Sequence, residues 1–415
     1  MTHQGNHPLI SPILLAGSLI LMISFAIRAS FGLFQSPIAA EFGWLRSEFS
    51  LAIAIQNLAW GIGQPIFGAI AEKFGDKRAI VLGAIVYAAG LVLSSFATTP
   101  GAHQFLEILI GFGIAGTGFG VVLAVVGRSS SIENRSLALG ITTAAGSAGQ
   151  VVGPPFADVL LRSMPWSSVF IVFACIILAV LLVLPFLGSN QTTDRHELEV
   201  SMGRVLSEAL KDPNYAMIFL GFFSCGFQLA FITAHFPAYI TEMCAAIPPN
   251  SMIRSLGITS TSALGAASIA LIGLANIVGT IAAGALGRHF PKKYLLALIY
   301  TGRTIAAAAF ILFPMTPTSV VLFSLVMGGL WLATVPLTSG LIAHIYGLRY
   351  MGTLYGIVFF SHQLGGFLGV WLGGVMYDRF GSYDLVWWVG VGVGAFSALI
   401  HLPVRELPHK ILSPA

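Results

Sequence analysis

Apolar runs of about twenty residues recur from one end of this 415-residue chain to the other, and charge is confined to the stretches between them. A helix of that length crosses a hydrocarbon core of about 30 Å. A helix also satisfies its backbone hydrogen bonds internally, which lipid demands of any spanning segment. Hydrophobic residues make up 56% of the chain and charged ones only 9%, against about 25% charged in soluble domains. The reading is therefore an all-α membrane protein whose first partner is the lipid bilayer. Twelve transmembrane helices are expected, at 11–39, 48–71, 79–98, 103–127, 135–161, 167–188, 214–242, 263–287, 294–313, 318–345, 351–377 and 385–404. The N-terminal MTHQGNHPLISP lacks the basic start of a cleavable signal peptide.

Basic residues set the orientation. With both termini inside, the inner loops and C-terminus hold Lys73, Lys77, Arg78, Arg128, Arg135, Arg195, Arg204, Lys211, Arg288, Lys292, Lys293, Arg349, Arg405 and Lys410. The outer loops hold only Arg46, Arg162, Arg254 and Arg379. The same asymmetry independently requires an even number of spans. It also accounts for the formal net charge of +4 without nucleic acid.

The longest polar segment, GSNQTTDRHELEVSMGRVLSEALKDP, joins the sixth and seventh spans. It divides the chain into an N-terminal six-helix half (1–188), a cytoplasmic linker (189–212) and a C-terminal six-helix half (213–415). Within the linker, SMGRVLSEAL has the pattern of a short amphipathic helix on the inner face. The halves match at one constant offset: GAIAEKFGDKR begins at Gly68 and GALGRHFPKK at Gly284, 216 residues later. At the same offset Gly140, Gly149 and Gly153 pair with Gly356, Gly365 and Gly369. Duplicated membrane halves are a transporter signature, with the substrate near the midplane between them.

Two arginines, Arg28 and Arg303, lie inside spans with no acidic residue beside them. A guanidinium cannot shed its charge by losing a proton, and burying it in hydrocarbon costs about 3 kcal/mol on insertion scales. Each therefore has a polar protein partner, with Gln56 and Asn57 of the next span the candidates for Arg28, or meets an anion from outside. No Asp or Glu is expected at mid-membrane: Glu107, Asp158, Glu242 and Asp378 are placed near outer ends. Histidine, with an ordinary pKa near 6.5, is then the candidate proton carrier, as His235 in the seventh span and His362 in the eleventh. Cys175, Cys225 and Cys244 have no metal or redox spacing and read as small buried hydrophobes. No nucleotide-binding loop, zinc spacing or catalytic carboxylate pair is visible, so no enzymatic activity, metal or cofactor is expected.

The segment from Gly68 to Arg78, GAIAEKFGDKR, resembles the loop motif of the major facilitator superfamily, with Glu72-Lys73 where the motif usually reads Asp-Arg. The resemblance covers essentially the whole chain. Within the superfamily, FGLFQSPIAAEFGWLRSEFSLA is similar to the bacterial oxalate/formate antiporter and monocarboxylate transporter branch. Gly149 to Pro154 partly resembles the fifth-helix motif of superfamily antiporters, although its closing Gly pair reads Ala157-Asp158.

The resemblance implies that spans one, four, seven and ten line a cavity, that two, five, eight and eleven form its sides, and that three, six, nine and twelve pack outside. Arg28 then lies on a cavity helix and Arg303 on a peripheral one. In the monocarboxylate branch the resemblance also implies an anion-binding Arg on the eighth span, four residues before the Gly of the second loop motif, with an Asp four residues earlier. Those positions are Thr280 and Asn276 here, which keep hydrogen-bonding capacity without charge. The candidate substrate-binding set is Arg28, Thr117, Phe119, Gln228, His235, Asn276, Thr280, Arg303, Trp331, Tyr355 and His362, with His235 and His362 also proposed for proton coupling. Gln64, Ser147, Gln150, Thr334 and Gln363 are further midplane polar groups. The expected protein is a secondary active transporter of the bacterial inner membrane, working as a monomer by alternating access. It would carry a small organic anion, in proton symport or anion exchange. An efflux carrier for a neutral or amphipathic compound and a transporter-like sensor are the alternatives.

Overall fold

The computed structural model describes residues 10–44, 46–188 and 201–409. Most of the expected linker (189–200), both chain ends and the side chain of Asp378 lie outside the described residues. Among the described residues twelve long helices run in chain order: α1 Pro12–Phe34, α2 Arg46–Phe74, α3 Asp76–Ser94, α4 Pro100–Ser129, α5 Arg135–Ser163, α6 Trp166–Phe186, α7 Pro213–Met243, α8 Thr261–Leu286, α9 Lys292–Leu312, α10 Pro317–Tyr346, α11 Met351–Phe380 and α12 Asp384–His401. Four of them begin on one local signal, a capping side chain followed by proline: Ser11-Pro12, Thr99-Pro100, Asp212-Pro213 and Thr316-Pro317. The cap accepts an unpaired N–H of the first turn, and proline occupies a position whose N–H has no helical partner. Gly75 links α2 to α3 in one residue at φ +101°, a conformation open to glycine. The segment before α7 forms the expected short helix, Met202–Lys211, with Val205 and Ala209 buried.

Ten of the twelve are apolar enough by themselves to cross a membrane; α2 and α5, each 29 residues long, are less so. Their position explains the difference. α2 is wedged between α4 and α11, and α5 between α1 and α8, so their polar residues Gln56, Gln64, Thr142, Thr143 and Ser147 are buried against protein. Elsewhere the lipid-facing surface carries Leu15, Leu82, Ile85, Leu182, Leu298 and Leu322, all exposed. α1 packs on α5 as α7 packs on α11, and α2 on α4 as α8 on α10. The repeated glycines make these approaches possible. A methyl group at Gly149 or Gly153 would meet the carbonyls of Met22 and Ala26 in α1, and one at Gly365 or Gly369 those of Phe223 and Phe227 in α7.

Two spans are broken where periodicity gave no sign. α4 is interrupted at Gly118, whose backbone is extended, and α10 at residues 330–333. The second break is supported by α8: Asn276 Oδ1 accepts the Leu332 N–H at 2.9 Å while its Nδ2 donates to Ser147 Oγ at 2.8 Å. A backbone donor freed inside a membrane protein needs such a partner.

The end of the bundle that carries the basic loops is closed. Glu72 accepts from the Thr353 N–H at 3.0 Å and from its hydroxyl, and Arg128 pairs with Asp76. Arg288 donates to the Glu133 carbonyl at 2.9 Å. Gly68 lies against Gly352, and Gly284 against Ser136, the pair related to it by the same offset. α1 and α7 make no substantial contact with each other among the described residues.

Candidate functional site

Arg28 projects from α1 one turn beyond Phe25 and is half-buried. Its Nη2 donates to Asn57 Oδ1 at 2.7 Å, and the guanidinium lies 4.7 Å from the Trp60 ring centroid. Its Nε has no hydrogen-bond partner, and no carboxylate pairs with it, among the described residues. Of the two partners expected from α2, Asn57 is engaged and Gln56 is not. Below the guanidinium is an aromatic floor. Trp60 meets Phe25 at 5.5 Å and Phe359 at 4.7 Å, Phe119 meets Phe25 at 4.7 Å, and Phe359 meets Tyr355 at 6.1 Å. All five side chains are buried.

Arg303 turns inward from α9 and is fully buried. Nη1 and Nη2 donate to the sulfur and the carbonyl oxygen of Cys225 on α7, both at 3.4 Å. The same thiol lies 3.3 Å from Thr334 Oγ1, points toward the Trp331 carbonyl at the break in α10, and is within electrostatic reach of His362. Arg303 Nε, the Tyr355 hydroxyl and His362 Nε2 have no hydrogen-bond partner among the described residues. Although the ninth helix is expected to be peripheral, the Arg303 side chain reaches inward to Cys225 of α7.

The two guanidinium groups are joined by a polar path across the α2–α11 contact. Gln363 Nε2 donates to the Asn57 carbonyl at 3.2 Å, and Gln363 Oε1 lies 3.2 Å from His362 Nδ1. His362 stacks on Phe359 at 5.2 Å. Arg28, Asn57, Gln363, His362, Cys225 and Arg303 thus follow one another from the first helix to the ninth.

The other expected residues are placed elsewhere. Thr117 bonds to Ser24 Oγ and the Gly113 carbonyl inside the N-terminal helices, and Phe119 belongs to the aromatic floor. Gln228 turns to α12, where Nε2 donates to the Gly390 carbonyl at 2.7 Å. His235 lies 3.0 Å from the Val370 carbonyl, among Phe231 and Tyr383, apart from His362. Asn276 braces the α10 break, and Thr280 bonds back to the Asn276 carbonyl at 2.9 Å. Trp331 and Tyr355 border the Arg303 cluster.

Glu107, near the start of α4 as expected, is fully buried and held by Gln56 Nε2 at 2.7 Å. Two readings need correction. Cys225 is no inert hydrophobe, since it accepts from Arg303. Cys175 is exposed rather than buried. Asn57 was an expected partner of Arg28, whereas nothing in the sequence marked Trp60 or Cys225 as neighbours of the arginines.

The family model described as Major Facilitator Superfamily matches residues 17–370 and 243–415. An uncharacterised transporter of that type from Bacillus subtilis (strain 168) is 26% identical over 393 residues, covering 91% of this chain and 90% of the relative. Monocarboxylate transporter 13 of Rattus norvegicus is 25% identical, covering 93% and 86%. A probable sulfoacetate transporter of Cupriavidus necator is 22% identical, covering 93% and 92%. Among solved structures, a proton:xylose symporter superposes with a TM-score of 0.71 at 14% identity, covering 97% of this chain and 98% of the symporter. The Escherichia coli fucose:proton symporter gives 0.68 at 15% identity, covering 95% and 98%.

Proposed function

Because the chain belongs to the major facilitator superfamily, it is a multi-pass membrane transporter and not an enzyme, and we propose that its cargo is a small organic anion, most simply a monocarboxylate. The observation that carries this reading is Arg28: a half-buried guanidinium with one neutral amide partner, an unpartnered Nε and no paired carboxylate among the described residues. A carboxylate offers the planar acceptor pair that a guanidinium fork fits. At about 4 Å and an effective dielectric near 20 the gross attraction is about 4 kcal/mol, reduced by desolvation to the weak grip a carrier needs for release. The relatives named for monocarboxylates and sulfoacetate favour the same class of cargo. Arg303 and His362 form the second wall of the binding region, opposite Arg28 across the aromatic floor. The halves at 1–188 and 213–415 rock about the α2–α11 and α5–α8 contacts to expose the region to either side. The excess of Lys and Arg in the inner loops supports cytoplasmic termini; the proposed setting is a bacterial inner membrane, with one chain sufficient for transport.

The test is uptake of labelled lactate, pyruvate, oxalate, formate and sulfoacetate into proteoliposomes. Wild type transports at least one of them, and Arg28→Gln, folded by its elution profile and melting curve, transports none. Normal uptake by folded Arg28→Gln overturns the anion site. Binding of an anion without flux in wild type favours a sensor, and flux of amphipathic drugs alone favours an efflux carrier.

A further inference from the structure

Glu107 and His103 are the least explained groups in the N-terminal helices. They lie one turn apart on α4, both buried, with His103 Nε2 3.4 Å from Glu107 Oε1. Gln56 Nε2 donates to the other carboxylate oxygen at 2.7 Å. One amide bond does not offset the desolvation of a buried carboxylate. A proton on either member does, since acid beside neutral histidine and carboxylate beside imidazolium are both neutral overall. Phe49, Trp44 and Phe170 surround the His103 ring at 5.6, 5.8 and 6.3 Å and exclude water.

The groups facing this pair from the packed helices are few. α2 contributes the uncharged Gln56, and the Glu48 carbonyl at its start accepts from Gln104. α3 contributes Tyr87, which is within electrostatic reach of both Glu107 and Arg28. Consecutive residues of α2 hold the two charged groups: Gln56 binds Glu107 and Asn57 binds Arg28.

We propose that Glu107 and His103 form the proton site of this carrier, coupled electrostatically to an anion bound at Arg28; the proposal rests on the anion reading above. A carboxylate at Glu107 and an anion at Arg28 are like charges in one low-dielectric region, so each raises the cost of the other. A proton arriving from water at the exposed start of α4, beside Gly101 and Ala102, neutralises the pair and strengthens anion binding. Linkage makes the effect reciprocal: the bound anion raises the pair's proton affinity. One proton and one anion then enter together and leave together on the opposite side, where loss of either weakens the hold on the other.

The experiment measures lactate and sulfoacetate binding to purified protein between about pH 8 and about pH 5, and uptake into proteoliposomes with and without a pH gradient. In wild type the anion Kd tightens by roughly tenfold toward acid, within the ordinary range for coupled sites. In Glu107→Gln, a permanently neutral isostere, the Kd at high pH equals the wild-type acid value, and the gradient no longer drives accumulation. An infrared band of a protonating carboxyl, appearing on anion addition in wild type and missing in Glu107→Gln, supports the assignment independently. Unchanged pH dependence and gradient-driven accumulation in Glu107→Gln, with binding still lost in Arg28→Gln, overturn the proton site alone. Binding that survives intact in Arg28→Gln, or no anion binding by wild type, overturns the anion reading and this proposal with it.

Discussion

At the scale of single residues, the two membrane arginines differ in what they have already found. Arg28 keeps partial exposure and an amide partner. Arg303 is fully buried and, among the described residues, meets a thiol, a backbone carbonyl and the face of Tyr300, 5.7 Å from its guanidinium. A buried charge with such neutral partners is poorly compensated, and exchanging it for a well-packed apolar side chain is often neutral or stabilising. Arg303→Met is therefore expected to melt at the same temperature as wild type or higher, while uptake of the anion falls at least tenfold. A structural clamp would give the reverse, a lower melting temperature with uptake preserved in the surviving protein. The presence of both charges was legible in the sequence, because hydrocarbon makes any charge conspicuous. Of their partners only Asn57 was, because it lies on the next helix; Cys225 is brought to Arg303 from two helices earlier in the chain.

At the scale of elements, the helices follow from local chemistry and their interruptions do not. Cap-proline pairs and apolar length place most span ends within a few residues of where the sequence puts them. The break in α10 depends instead on Asn276 of α8, whose amide reaches the Leu332 N–H. Asn276→Ala leaves that buried donor unsatisfied, while Ser147 Oγ keeps its bond to the Thr143 carbonyl, at a cost of about 1–3 kcal/mol. The melting temperature in detergent should drop by several degrees, and Asn276→Gln should not restore it, since the longer side chain misplaces both bonds. The paired glycines of α5 and α11 make a second prediction. A side chain at Gly153 would meet the Ala26 carbonyl, so Gly153→Val should lose the folded protein altogether by size-exclusion assay. Gly203→Ala, in the short helix before α7 with open space around it, should express as wild type.

At the scale of the whole molecule, the basic end is held closed by contacts of Glu72 with Thr353, Arg128 with Asp76 and Arg288 with the Glu133 carbonyl. Arg128 is 6% exposed and its partner Asp76 17%; removing one member of so buried a pair is costly to the state that holds it. Asp76→Asn should therefore shift the protein toward opening at the basic end. With the three native cysteines replaced, a Ser136→Cys reporter buried at the Gly284 contact should react with a thiol probe at least tenfold faster in that background. An unchanged rate would mean that the ion pair does not hold the closed state. The sequence alone determined the membrane fold, the number of spans and the offset that relates the two sets of helices. Those properties are written in hydrophobicity and glycine spacing, which act locally and need no partner. Tertiary structure decided the rest: that Arg303 reaches inward from a peripheral helix, that Glu107 is sealed beside His103, and which end is closed. Each of these depends on which helices cover a side chain, and in a bundle whose surface is as apolar as its core, hydrophobic pattern cannot tell a lipid-facing side from a buried one.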